Sequence, residues 1–568
     1  MLSKNKGGSV NFFAHHQELL TEACQAVASR HYWSAYPEMH NHAQYGEHSE
    51  SEGKTAFDEL LGRPFALDQW ADEGWIGNEK SPYGFALGIT YPRTGVHALI
   101  DRSTRAWNEW RKQGPEVWVG ICLEILQRLN ARSAEVAQAV MHTTGQPYLM
   151  AFQAGGPHAQ ERGLEAVAYA WHEMTRIPGT AVWEKPQGKR PPLKLHKHYS
   201  IVPRGIGLVI GCSTFPTWNS YSGIFASLAT GNTIIAKPHP ASILPLAITV
   251  GIAREVLAEA GINPDVVMLA VHEEGDSVAA DLALRPEVRL IDFTGSRENG
   301  DWIERNAQQA QVYTEKAGVN QIIIDSTNDL QAMAANIAVS LTLYSGQMCT
   351  APQNIYIPRE GINVGEGRAS FDEVASAIVG SVKALTVNAS RAVELTGALQ
   401  NDRTSARIDA ARSLGYGVML DSVVIEHPTY PAATVRSPLL LKVSIGQEDQ
   451  AMKEFFGPIS FLIETQSTER SIDIARQALT KHGAMTLSLY TRSRNILDKV
   501  QEAAELGGVA LSVNMMGPAL VNQSAAFSDF HGTGANPAAN VALTDAAFVV
   551  NRFRVVQSRV HGGLDEGL

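Results

Sequence analysis

"GIGLVIGCSTFPTWNSYSGIFASLATGNTIIAKP" (residues 205–238) is the stretch whose reading decides the fold. Its opening, GIGLVIG, is a short apolar run with no polar alternation, the signature of a strand buried on both faces. NSYSGIFASLATG then has helical spacing and a terminal Gly231, and NTIIAKP reads as a second buried strand. The rhythm continues downstream. SILPLAITVGIAREVLAEAG is a long helix ending at Gly261, VVMLAV a strand, the next segment a short helix to about Leu284, and VRLIDFTGS another strand. Strands joined by helical crossovers form a parallel sheet covered on both faces, and such sheets hold ligands at the carboxyl ends of their strands. The prediction is an α/β fold with a nucleotide-type cofactor site.

Outside this region the pattern changes. GICLEILQRLNARSAEVAQAVMHTTG, ending at Gly145, has helical spacing, so the chain before residue 150 reads as a packed helical layer. Residues 32–53, rich in aromatic and polar side chains, read as a long ordered loop or covering arm. His40, His42 and His48 within it lack the cysteine partners of a structural metal site, and no metal is predicted. Alternation from Leu195 to Tyr199 indicates a strand with one wet face, and NRFRVVQSRV near the C-terminus is similar. These two strands pair either within the chain or as an arm completed by another subunit.

Bulk properties narrow the function. With 568 residues the chain is long enough for two or three domains; 44% hydrophobic and 18% charged residues describe a globular protein. A net charge of −11 argues against nucleic acid as a partner, since gripping phosphates takes a concentrated basic surface. The four cysteines are scattered, without CxxC pairing, which suits a reducing cytoplasm. The N-terminus lacks an apolar core of signal-peptide length, and no run of about eighteen apolar residues suggests a membrane span.

Three stretches carry chemistry. LYSGQMCTAPQN (residues 343–354) ends an apolar segment with Cys349 among small neighbours, which give a nucleophilic thiol access; a core cysteine is the plainer reading. VYTEKAGVNQIIID places Glu315 beside a break at Gly318, where a carboxylate serves as general base if desolvated or lies exposed at a strand end. FTGSRENG, between a strand and a helix, is a glycine turn whose backbone N–H groups approach a phosphate, or simply a tight turn.

Taken together, these motifs resemble the aldehyde dehydrogenase superfamily, in matching order over residues 200 to 540. The resemblance implies a Rossmann-type cofactor domain (residues 1–178 and 205–314), an α/β catalytic domain (315–538) and a small β oligomerisation arm with a C-terminal strand (179–204 and 539–568). It assigns Thr294, Gly295, Ser296 and Gly300 to the cofactor turn, Glu315 in EKAG to the catalytic glutamate, and Cys349 in GQMC to the nucleophile. Glu454 and Phe456 of EFFGPI match the E-x-F-G-P motif that positions the nicotinamide ribose. A finer likeness, in PYLMAFQAGGPHAQERGLEAVAYA, YSGQMCTAPQN and VNQSAAFSDFHGTGANPAAN, is to the PaaN family of phenylacetic acid degradation proteins.

The implied reaction is oxidation of an aldehyde, in that branch a CoA-linked semialdehyde, to the acid through a thiohemiacetal and a thioester on Cys349, with Glu315 activating the hydrolytic water. A homodimer or homotetramer is implied. The alternatives are a CoA-acylating dehydrogenase or thiol acyltransferase, and a weakly active pathway scaffold. Two departures from the family pattern matter. CSTFP puts Thr214 where the oxyanion-hole asparagine stands, leaving Thr214 or nearby Asn219 as the donor; loss of one such donor costs about 2.7–4 kcal/mol. Lys237 matches the lysine that contacts the adenosine ribose, but Pro240 replaces the acidic residue that repels a 2′-phosphate. NADP is therefore the predicted cofactor, with NAD possible.

Overall fold

The computed structural model describes residues 11–316 and 318–561. Five parallel strands form the first sheet in the order Val267–Leu269, Thr233–Lys237, Ile206–Ile210, Val288–Gly295, Gln311–Lys316. The helices Pro216–Ala229 and Leu244–Glu259 cross over between strands, and both are nearly all buried, as their uninterrupted apolar faces require. Each is followed by a glycine with positive φ, Gly231 and Gly261. The chain runs from Ile206–Ile210 outward to one edge, then returns to lay Val288–Gly295 on the other side. The order therefore reverses between these two strands, and a crevice opens at their carboxyl ends.

A second, seven-stranded sheet runs Gly417–Leu420, Leu439–Val443, Ile459–Thr465, Asn354–Pro358, Gln321–Ile324, Thr486–Tyr490, Ala510–Val513, parallel except for its first strand. The two sheets meet where Gln311–Lys316 ends and Gln321–Ile324 begins. Glu315 thus rides on the edge strand of the first sheet, at the seam with the second. Ala317 of the EKAG motif lies outside the described residues, as do residues 1–10 and 562–568, the ends of the first domain and of the arm expected from the sequence.

The strand expected around residues 195–199 extends over Arg190–Pro203 and pairs within the chain, antiparallel, with Thr180–Gln187 on one side and Phe553–His561 on the other. Both outer strands are largely exposed. Just before the last strand, buried Arg552 donates to Asp292 Oδ2 at 2.8 Å and Oδ1 at 2.6 Å, and to Ser227 Oγ at 2.7 Å, tying the arm to the first sheet.

The helical layer before residue 150 differs from the sequence reading in two places. Its central run divides at Arg132 into the helices Pro115–Ala131 and Ser133–Thr144. Part of the expected loop at residues 32–53 is also helical, because a helix begins at Ser49 and continues to Leu60. Gly53 explains the docking of this helix, since a side-chain carbon there would come within 2.5 Å of Ala134 backbone.

Candidate functional site

Cys349 lies in a turn three residues beyond the short helix Leu343–Gly346. The approach to it is left-handed at three consecutive residues, with φ of 49° at Tyr344, 50° at Ser345 and 61° at Gly346. Tertiary bonds hold this uncommon backbone: Tyr344 OH donates to Thr144 O at 2.6 Å and Ser345 Oγ to Thr396 O at 3.2 Å. Gly346 is needed twice over, since a Cβ there would also meet Gly457 O at 2.4 Å. Beyond the thiol, Asn320 Nδ2 donates to the carbonyls of Cys349 (2.8 Å) and Ala351 (3.0 Å).

Glu315 is buried, not exposed at a strand end, and the structure brings it to the thiol. Its Oε1 lies 3.0 Å from His531 Nε2, and its Oε2 accepts from Asn219 Nδ2 at 3.0 Å. His531 Nε2 is in turn 3.7 Å from Cys349 Sγ. Burial alone would raise the carboxyl, but the charge and hydrogen bond of His531, with the hydrogen bonds of Cys349 and Asn219, hold it below its ordinary value. Burial and then the Glu315 carboxylate push the Cys349 thiol well up. Cys349, Glu315 and His531 present one ligand atom each, all within 4.8 Å of one another.

His531 has no counterpart in the sequence reading. It sits in the glycine-containing loop after Phe530, its backbone N–H and C=O both bonded to Leu543 at 2.7 Å. The ring packs edge-on against Trp218, with centroids 4.6 Å apart. Only the HGTG composition hinted at a close backbone approach there.

Thr214 and Asn219 separate clearly. Thr214 hydrogen-bonds Cys212, its carbonyl accepts from Gln146 Nε2 at 2.8 Å, and it does not line the cavity in front of Cys349. Asn219 does line that cavity, carried on the helix Pro216–Ala229. Of the two candidates, Asn219 is therefore the one at the cavity, with its donor held by Glu315.

Cys349 faces two spaces. One is a cavity of about 360 Å³, whose inner wall includes Phe215, Trp218, Met348 and His531. The other is a small cleft bounded by Glu454, Phe456, Gly346 and Gly318. Arg407 braces the cleft, donating from Nε to Phe456 O at 2.8 Å.

The remaining cofactor candidates lie along the first sheet. Thr294 pairs in register with Glu315, so the glycine turn opens directly beside the carboxylate. Ser296 caps the helix Arg297–Asn306, its Oγ accepting from Asn299 N at 3.3 Å. Gly300 serves close packing, because a Cβ there would strike the Lys316 stem at 2.6 Å. Lys237 is buried at the end of its strand, with no hydrogen-bond or ion-pair partner among the described residues, and burial lowers its ammonium to about 8. His272 is buried close enough to feel that charge; burial and then Lys237 lower it to about 4, and its Nε2 has no partner among the described residues. A buried, unpaired ammonium beside an orphaned imidazole nitrogen fits an anionic dinucleotide.

The Aldehyde dehydrogenase family model matches residues 91–535. A solved NAD-dependent aldehyde dehydrogenase from Burkholderia multivorans superposes with a TM-score of 0.96, at 59% identity, covering 98% of this chain and 100% of that one. A 1-pyrroline-5-carboxylate dehydrogenase from Bacillus subtilis is 24% identical over 502 residues, 82% of this chain and 90% of its own length. In fold alone, the enzyme of that name from Thermus, solved with bound NAD, has a TM-score of 0.70 at 20% identity, covering 94% of this chain and 99% of that one.

Proposed function

The chain belongs to the aldehyde dehydrogenase family, and from that premise we propose that it oxidises an aldehyde to a carboxylic acid at Cys349, with Glu315 as base. The observation that carries this reading is that one sulfur borders both spaces, an apolar cavity for a carbonyl compound and a cleft edged by Glu454 and Phe456, with a buried carboxylate beside it.

In this reaction Cys349 Sγ adds to the aldehyde carbon while its proton passes to the Glu315–His531 pair. The oxygen of the thiohemiacetal so formed takes a hydrogen bond from Asn219, released from Glu315. A nicotinamide held at the cleft of Glu454 and Phe456 would supply the acceptor for the hydride leaving that carbon. Cys349 then carries a thioester, and Glu315 takes a proton from water as its oxygen adds to the acyl carbon. The C–S bond breaks, the acid departs, one of the two protons gained by the Glu315–His531 pair returns to the sulfur, and the other leaves to solvent as the proton that the oxidation releases.

The cofactor we propose is NADP. Supporting it are Lys237, a buried ammonium without a partner among the described residues, His272, lowered by burial and then by that ammonium, and Pro240 in place of a repelling carboxylate. The substrate branch suggested by the sequence is a CoA-linked semialdehyde of phenylacetate breakdown. The exposed strands, with Val182, Trp183, Val555 and Val556 in the open, support a homodimer or homotetramer joined through the arm.

The test is the absorbance of reduced nicotinamide with an aldehyde panel, NAD or NADP, and with or without CoA. Multiple turnovers to free acid without CoA support the reading. Turnover that requires CoA, and yields an acyl-CoA, assigns the chain to the acylating type instead.

A further inference from the structure

Resting on the reaction proposed at Cys349, we infer that the aldehyde is uncharged along the whole length that enters the site. Its far end is alkyl, aryl, ester, amide or thioester, and not a free carboxylate or phosphate.

The cavity of about 360 Å³ lies in the size range of sites that enclose small molecules. Three carboxylates line it, Glu38, Glu161 and Glu394, with no lysine or arginine among the described lining residues. Glu38 and Glu394 are exposed and so mark the outer rim. The imidazole of His158 is held 3.0 Å from Glu38 Oε2 and answers that carboxylate. Glu161 is buried, its Oε1 accepting from Ser34 Oγ at 2.5 Å and Ala35 N at 3.1 Å.

Two arginines stand behind this wall, and both are taken up by protein partners, Arg162 also donating to Ser524 Oγ of the wall at 3.1 Å and lying over the Trp218 ring. Arg162 donates to Glu165 Oε2 at 2.8 Å and Asp529 O at 3.0 Å; Arg30 donates to Glu165 Oε1 at 3.3 Å and Phe527 O at 3.1 Å. Neither lines the cavity. A second anion brought between this rim and Glu315 meets carboxylates, while the imidazoles of His158 and His531 are already taken up by Glu38 and Glu315, an arrangement that rejects a ligand more than it binds one. The Bacillus and Thermus proteins of similar fold are named for a carboxylate-bearing compound, and no lysine or arginine among the described lining residues of this cavity answers such a group. The arm at residues 32–38 thereby acquires a role, since it supplies Glu38 and part of the wall. The acyl chain of a semialdehyde capped as a thioester obeys the same rule, because its charged groups lie beyond the tether.

The experiment compares kcat/KM for four aldehydes: hexanal, adipic semialdehyde, its methyl ester and its N-acetylcysteamine thioester. Wild type and the Glu38→Lys/Glu394→Lys double variant are measured with each. In the wild type the three neutral compounds are preferred to the carboxylate by about a hundredfold, mostly through KM, and the double variant narrows that ratio by about tenfold. Either ordering of ester and thioester upholds the rule and tells whether the tether is itself recognised. A wild-type enzyme that takes the free carboxylate as readily as its ester overturns the inference, as does a ratio the double variant fails to move. Absence of Cys349-dependent oxidation with every aldehyde sinks the underlying reaction instead.

Discussion

His531 Nε2 stands 3.0 Å from Glu315 Oε1, joining two residues 216 positions apart in the chain. The first cause of perturbation at Glu315 is burial, which favours the neutral acid; the imidazole leads the groups that reverse it. Removing the imidazole therefore lets burial act, and the Glu315 pKa rises. A general base works only when ionised, so the acid limb of the pH–rate profile for thioester hydrolysis moves to higher pH in His531→Ala. Comparison of the two profiles under saturating cofactor checks this; an unmoved acid limb removes His531 from control of the base.

In the proposed reaction Cys349 and Glu315 divide the work between two half-reactions. Cys349→Ala is expected to form no reduced nicotinamide, because no thiohemiacetal can assemble. Glu315→Gln is expected to release about one equivalent per site and then stall with acyl-enzyme, visible as a burst in stopped-flow absorbance and as a mass increase on the peptide containing Cys349. Full steady-state turnover by Glu315→Gln would leave the water without its assigned base.

The oxyanion donor is tested by two single changes. Asn219→Ala is expected to lower kcat by about 10²–10³-fold, the usual cost of one lost donor, with KM little altered. Thr214→Ala, whose hydroxyl serves Cys212 instead of the cavity, is expected to lose far less. Equal losses in the two variants would return Thr214 to the role suggested by its place in CSTFP.

Much of this was legible in the chain because the relevant physics is local. A strand covered on both faces must be a continuous apolar run, and GIGLVIG and TIIAK are; a helix stop needs a residue tolerant of positive φ, and Gly231 and Gly261 supply it. Cys349 and Glu315 sat in short motifs. His531 did not, since what defines it is a loop folded back across the sheet seam, a relation without period or spacing. The helix Ser49–Leu60 was hidden for another reason. Its buried residues are only Gly53 and Phe57, so it has no apolar stripe to read, and close packing on Ala134 takes the stripe's place. The division of duty between Thr214 and Asn219 needed coordinates, because side-chain direction in a loop is set by tertiary partners.

Gly346 offers a test of the strained approach to the thiol. Gly346→Ala must accept both φ of 61° and a Cβ placed 2.4 Å from Gly457 O, which is backbone and cannot swing aside. A destabilisation of about 1–3 kcal/mol is expected from the backbone conformation alone, with activity falling further as Cys349 shifts. Thermal unfolding and the alkylation rate of Cys349 measure the two effects separately. Unaltered stability would mean that the left-handed approach is readily relaxed.

In the proposed NADP complex, Lys237 ties cofactor binding to pH. Burial lowers its ammonium from the ordinary 10.5 to about 8, so between these values the unfolded chain holds a proton that the folded chain has released. Where the unfolded state binds more protons, stability rises with pH, and this group's contribution in the nucleotide-free protein therefore increases as pH climbs from about 8 toward 10.5. A dinucleotide phosphate acts in the opposite direction. It gives the ammonium a partner, raises its pKa, and so takes up a proton on binding; affinity must fall as pH passes upward through about 8. Titrating the quenching of protein fluorescence by NADP on either side of that pH is expected to show this loss, and Lys237→Met to bind weakly with the pH dependence flattened. An affinity that holds steady across the same interval in the wild type would detach Lys237 from the phosphate.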